Sequence, residues 1–120
     1  MKIIKTLKLS KVEFYKKHLY IINHVLPIQM TNKEIEVLAS FMSLEGSINS
    51  DRFGTSARKL VKEELSLSSG GLCNYLNQLK VKGFIKSRID LDKEELYILP
   101  ILIPSIDGIQ EYYFKLEINE

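Results

Sequence analysis

The chain has 120 residues, 45% of them hydrophobic and 27% charged. That is enough apolar material for one packed domain, too much for a disordered chain, and too little length for two independent cores. The net charge of +2 is unevenly placed: residues 1–90 hold 15 Lys and Arg against 8 Asp and Glu, and residues 91–120 hold 2 against 7.

A basic body with an acidic end can steer a polyanion or orient the chain in an assembly. One cysteine excludes an internal disulfide and suits a reducing, cytoplasmic compartment. No basic-apolar-small leader pattern opens the chain. The longest uncharged runs, 18–32 and 96–106, fall short of the roughly 20 apolar residues of a membrane helix and contain proline, so no membrane contact is expected.

In residues 1–9, Ile3, Ile4, Leu7 and Leu9 interleave with Lys2, Lys5 and Lys8, the pattern of a strand or a basic arm. Ser10 then caps a helix predicted over 11–25, with Val12, Tyr15, Leu19, Ile22 and Leu26 at helical spacing and Pro27 as its stop. His18 and His24 are six residues apart, off the i, i+4 spacing of a metal pair, and are expected at the surface or an edge; no metal site is predicted. Thr31 and Glu34 form a capping box before a second helix, whose buried stripe is Ile35, Leu38, Ala39 and Met42, broadened by Val37, Phe41 and Leu44. Gly46 is its expected stop. Residues 47–52 read as a polar loop leading to Phe53, a candidate for a very short strand.

A third helix follows, N-capped by Thr55 or Ser56, with Ala57, Leu60, Val61 and Leu65 on its apolar face. The serines at 66, 68 and 69 break it, because their hydroxyls compete for backbone hydrogen bonds. A fourth helix begins at Ser68 or Ser69 and ends at Lys82, with Gly83 as a left-handed stop. Leu72, Leu76 and Leu79 face the core; Asn74, Asn77, Gln78, Lys80 and Tyr75 point away. Phe84-Ile85 opens an extended segment, and a second strand, reaching Leu99, follows the polar loop 90–95.

The run Leu76-x-x-Leu79-x-x-x-Gly83-Phe84-Ile85 resembles the end of a winged-helix recognition helix entering its wing, as in bacterial and phage winged-helix regulators and replication initiators. The resemblance covers residues 31–99. It implies an α+β winged helix-turn-helix, here carrying an N-terminal arm and helix in 1–30 and a C-terminal β-hairpin strand in 100–120, all within one domain. It further implies non-catalytic binding of double-stranded DNA by a regulator or initiator, with helix 68–82 in the major groove. Ser68, Ser69, Asn74, Tyr75, Asn77 and Gln78 would then make contacts at the groove, and Lys80, Lys82, Lys86, Arg88, Arg58 and Lys59 would meet phosphate. Asn and Gln suit adenine, so an A·T-containing site is expected.

Residues 96–104 are nearly continuous apolar sequence with two prolines, residues 105–108 form an Asp-Gly turn, and 109–119 alternate. Tyr112, Phe114, Leu116 and Ile118 fall on one face, opposite Tyr113, Lys115 and Glu117. This predicts a hairpin whose apolar face packs on the N-terminal helix of the same chain, in preference to a second subunit.

No catalytic set emerges. Glu63-Glu64 and Glu94-Glu95 are pairs of a kind common on solvated surfaces, and Ser69-Gly70-Gly71 lacks the spacing of a nucleotide fingerprint. Cys73, beside the leucine stripe, is expected to be a half-buried thiol. Neither catalysis nor a cofactor is predicted. The competing reading is an interaction component of a larger assembly, such as a phage virion or packaging complex, using 96–118 to hold a second copy or other subunits. It draws on the lack of Lys or Arg on the outward face from Ser68 to Gln78 and on the four acids against one base in 90–95.

Overall fold

The computed structural model describes residues 1–44, 52–105 and 107–119. In them, four helices precede a two-stranded antiparallel sheet: α1 (Lys11–Asn23), α2 (Asn32–Met42), α3 (Thr55–Leu65), α4 (Ser69–Val81), β1 (Ile85–Asp90) and β2 (Lys93–Ile98). A 3-10 turn, Pro100–Leu102, follows β2. The chain is α+β.

Ser10 caps α1 by accepting from the amide of Glu13. The helix ends two residues before the predicted boundary, four residues ahead of Pro27. Asn23 then clamps the connection: its amide nitrogen donates to Met30 O (3.0 Å) and its oxygen accepts from Met30 N (2.7 Å). The capping box opens α2 as the sequence predicts, with Thr31 Oγ1 accepting from Glu34 N and Glu34 Oε1 accepting from Thr31 N. α2 is the central element, packed against α1, α3 and α4, and every residue from Val37 to Met42 is buried. The predicted stop at Gly46 lies outside the described residues.

Two expectations before α3 are corrected. Phe53 forms no strand; it sits in a turn, buried, with its ring 4.8 Å from that of Phe41. The N-cap of α3 is Gly54, not Thr55 or Ser56, because Gly54 O already accepts from Arg58 N (2.9 Å) and so starts the ladder one residue earlier. Leu60, placed by spacing on the apolar face, is exposed, and Ala57 and Val61 carry the burial. Ser66, in the left-handed region (φ 54°), ends the helix.

Ser68 caps α4 by accepting from Gly71 N (3.0 Å), and Leu72, Leu76 and Leu79 are buried as predicted. The helix closes in a Schellman motif: Gly83, at φ 84°, donates to Lys80 O, and Phe84 donates to Leu79 O. This turn delivers Phe84 and Ile85 into the core at the start of β1. The strands pair from Ile85↔Ile98 to Asp90↔Lys93. Alternation puts Ile85, Ser87, Leu96 and Ile98 on one face and Lys86, Arg88, Glu95 and Tyr97 on the other. The predicted loop 90–95 shrinks to a two-residue turn, Leu91-Asp92, with φ values of 50° and 64°. Glu94 and Glu95 belong to β2.

The C-terminal segment departs most from expectation. β2 stops at Ile98 because Pro100 has no N–H for a ladder and starts the 3-10 turn. The Asp-Gly turn forms, with Ile109 N donating to Asp107 Oδ1 (2.9 Å) and Gly108 at φ 77°. Among the described residues, no strand flanks it, so there is no C-terminal hairpin. Alternation specifies a strand only where another backbone offers a matching row of donors and acceptors. Nor does the apolar face pack on α1: Tyr112 is half-buried, but Phe114, Leu116 and Ile118 are exposed.

Tyr112 reaches α1 through His18. That histidine is buried, contrary to its expected surface position. A carbonyl can only accept, so Nε2–H donates to Leu102 O (2.9 Å), and the Tyr112 hydroxyl donates to Nδ1. The ring is thereby held as the neutral Nε2–H tautomer. Burial lowers its pKa, partly opposed by the Leu102 carbonyl, and burial raises that of Tyr112.

Candidate nucleic-acid interface

With Leu72, Leu76 and Leu79 turned inward, the 100° step of a helix leaves α4 with an outward polar face. Asn74, Asn77 and Gln78 are exposed on it, as are Ser68 and Ser69 at its start. Tyr75 is half-buried and packed against the core, so its body serves the fold more than the surface. Cys73 is exposed rather than half-buried, one step off the leucine stripe, with Asn77 as its neighbour.

The cations stand around this face, not on it. On α3, Arg58, Lys59 and Lys62 project at three- and four-residue spacing. Lys62 Nζ donates to Ser69 Oγ (3.0 Å), which places a positive charge beside the N-terminus of α4. Lys62 is absent from the candidate residues of the sequence, although its i+4 relation to Arg58 is the available signal. A small groove lined by Arg58, Lys62, Ser69 and Cys73 runs between the two helices. The amide ends and dipole of α4 add to its attraction for an anion.

An adjoining cleft of about 560 Å³, also lined by Arg58, collects Arg52, Lys80 and Arg88 with Glu94 and Glu95. These cations come from the turn before α3, from α3, from α4 and from β1. The sequence places Arg52 only in a polar loop, and three-dimensional closure brings it here. Arg52 donates to Phe41 O (3.1 Å), and its burial pulls its pKa down from the usual arginine value. Arg58 Nε donates to Phe53 O (2.8 Å). Arg88 lies 3.3 Å from Glu95, its cross-strand partner, and 5.3 Å over the ring of Tyr97. One acid of the hairpin is thus matched by a base within the sheet. Among the described lining residues, Arg58, Lys80 and Arg88 stand with Glu94 and Glu95, of which Glu95 is already paired with Arg88.

The remaining residues divide. Lys86 is exposed on β1, on the same sheet face as Arg88, and Lys59 is exposed on α3. Lys82 is engaged elsewhere: its ammonium donates to Glu34 Oε1 (2.6 Å) and Gln29 O (3.0 Å). The structure therefore brings Arg58, Lys80 and Arg88 together, sets Ser68, Ser69, Asn74, Asn77 and Gln78 along one helix, and withdraws Lys82 into a structural bridge. Among the described residues, no three His, Cys, Asp or Glu side chains converge as a metal-ligand set, and no helix is long and apolar enough to cross a membrane.

Comparison of the chain with protein-family models, with curated proteins and with solved structures gave no match.

Proposed function

We propose that this chain is a winged-helix protein that binds double-stranded DNA through α4, in a regulatory or initiating role and without catalysis. The observation that carries the reading is the arrangement at α4. An exposed, uncharged row of Asn74, Asn77 and Gln78 is bordered by two adjoining grooves that share Arg58, one carrying Lys62 and the other Lys80 and Arg88, with Lys86 on the same sheet face as Arg88. Amides suited to base edges lie on the helix, and cations suited to phosphate lie along its margin. The order α2, α3, α4 and hairpin agrees with a helix-turn-helix followed by a wing, whose outer face carries Lys86 and Arg88.

The test is fluorescence anisotropy against random and A·T-rich duplexes at two salt concentrations. Four to five phosphate contacts give a log–log slope of affinity on salt of about −4. Tighter binding to one duplex class identifies groove reading; absence of binding at low salt removes the proposal. The assembly reading then takes its place, supported by the exposed Phe114, Leu116 and Ile118.

A further inference from the structure

Two segments at opposite ends of the sequence share one property. Residues 1–9 and 109–119 belong to no helix or strand and expose Ile3, Ile4, Leu7, Phe114, Leu116 and Ile118 to solvent. Exposed apolar side chains are unfavourable in water, and backbone outside any ladder can be taken up by strand addition. We propose that the 1–9 arm of one copy of this chain pairs as a β-strand with the 110–118 tail of a second copy, and reciprocally, to form a closed dimer.

Charge and spacing name the occupant. The arm carries Lys2, Lys5 and Lys8 and no acid; the tail carries Glu111 and Glu117 around a single Lys115. Lys2 and Lys8 are six residues apart, as are Glu111 and Glu117. In an extended chain, Lys2, Ile4 and Lys8 share one face, and Ile3, Lys5, Leu7 and Leu9 lie on the other. In the tail, Glu111 and Glu117 share one face, and Tyr112, Phe114, Leu116 and Ile118 lie on the other. A single register therefore sets both lysines opposite both glutamates, places Ile3 and Leu7 opposite Tyr112 and Leu116, and sets Lys5 opposite the Phe114 ring. The match holds for either strand direction, because the two spacings are equal. Cross-strand opposite charges and apolar pairs each stabilise a ladder, and like charges in the same places destabilise it.

Geometry allows the exchange to close. The arm enters α1 at Ser10, and the tail is fastened to α1 at His18 through Tyr112. Those roots are eight residues apart, about 12 Å along the helix. One two-fold axis beside α1 can therefore bring both arm–tail pairs into place, which is the self-complementary contact of a two-fold dimer. The inference is independent of DNA binding. A chain that dimerises in this way yet binds no duplex would leave it intact.

The experiment uses size-exclusion chromatography with light scattering on the full chain, on Lys2→Glu/Lys8→Glu, on Glu111→Lys/Glu117→Lys, and on an equimolar mixture of the two variants. All four positions are exposed, so folding is unaffected. The native chain is expected at about twice 13.9 kDa, and each variant alone at half the native mass. The mixture is expected to return to the native mass, because each reversed arm then meets a reversed tail and each native arm a native tail. A native chain that stays monomeric into the sub-millimolar range overturns the proposal. So does a native mass retained by both variants, or a mixture that remains monomeric.

Discussion

Lys82 Nζ lies 2.6 Å from Oε1 of Glu34, joining the end of α4 to the first turn of α2. Glu34 has no solvent exposure, and its Oε2 has no hydrogen-bond partner among the described residues. The carboxylate depends on Lys82 and on the Thr31 amide. Lys82→Met keeps the apolar stem and removes the charge. It should destabilise the fold by about 2–3 kcal/mol, below the cost of breaking a fully buried pair because Lys82 is partly solvated. Glu34→Gln, which preserves the capping box, should cost about 1 kcal/mol. Urea midpoints at neutral pH measure both, and a double-mutant cycle isolates the coupling.

The same pair sets an acid limit. Burial alone would raise the Glu34 pKa, but the bonds from Lys82 and Thr31 outweigh it and hold the pKa below the ordinary value of 4.5. The unfolded chain therefore takes up the proton first as pH falls. The stabilisation is complete above 4.5 and is lost as pH drops through the folded value. Glu34→Gln should show a shallower loss of stability over that range when Tm is followed against pH.

His18 supplies an earlier limb. Its folded pKa is depressed by burial, so the unfolded imidazole binds a proton at a higher pH than the folded one. Stability is complete above the ordinary value of 6.5 and declines as pH falls toward the folded value. Chemical denaturation between neutrality and the carboxylate range should reveal this decline. His18→Gln should remove it. Tyr112→Phe, which deletes the hydroxyl donated to Nδ1, should cost about 1 kcal/mol at neutral pH.

At the hairpin tip, Leu91 and Asp92 both have positive φ, and Leu91 is exposed. That two-residue turn favours Asn-Gly, and an L-residue with a branched chain resists it. Replacing Leu91 and Asp92 by Asn and Gly should raise stability by about 1 kcal/mol. If the same variant binds duplex less tightly, the exposed leucine is itself part of the contact.

For the proposed interface, Asn74→Ala with Asn77→Ala should weaken preference between duplexes, each lost base contact being worth about 1–3 kcal/mol. Lys80→Ala or Arg88→Ala should lower affinity alike for all sequences and flatten the salt slope by about one unit each. Unchanged preference in the asparagine variant would remove α4 from the reading role.

What could be read ahead of the structure was local. The Thr31–Glu34 capping box, the Leu72/Leu76/Leu79 stripe and the Gly83 stop are written within a few residues of each other, and each forms as read. The outward row of Asn74, Asn77 and Gln78 follows from the same periodicity. His18 was misplaced because the groups that satisfy its ring, Leu102 and Tyr112, are 84 and 94 residues away. Lys82 looked like a phosphate ligand because the carboxylate that claims it is 48 residues distant. The tail was misread for a different reason. Its alternation is genuine, but a strand needs a partner, and a single chain's pattern does not say where one is.

The His18 contacts also set a schedule for synthesis. A nascent chain emerges from its amino end, so α1 and α2 leave the ribosome well before Leu102 and Tyr112 are added. Until then the imidazole at the back of α1 lacks its carbonyl acceptor and its hydroxyl donor. A segment made 84 to 94 residues after His18 therefore seals α1, and translation stopped short of residue 102 would release a core with an open seam.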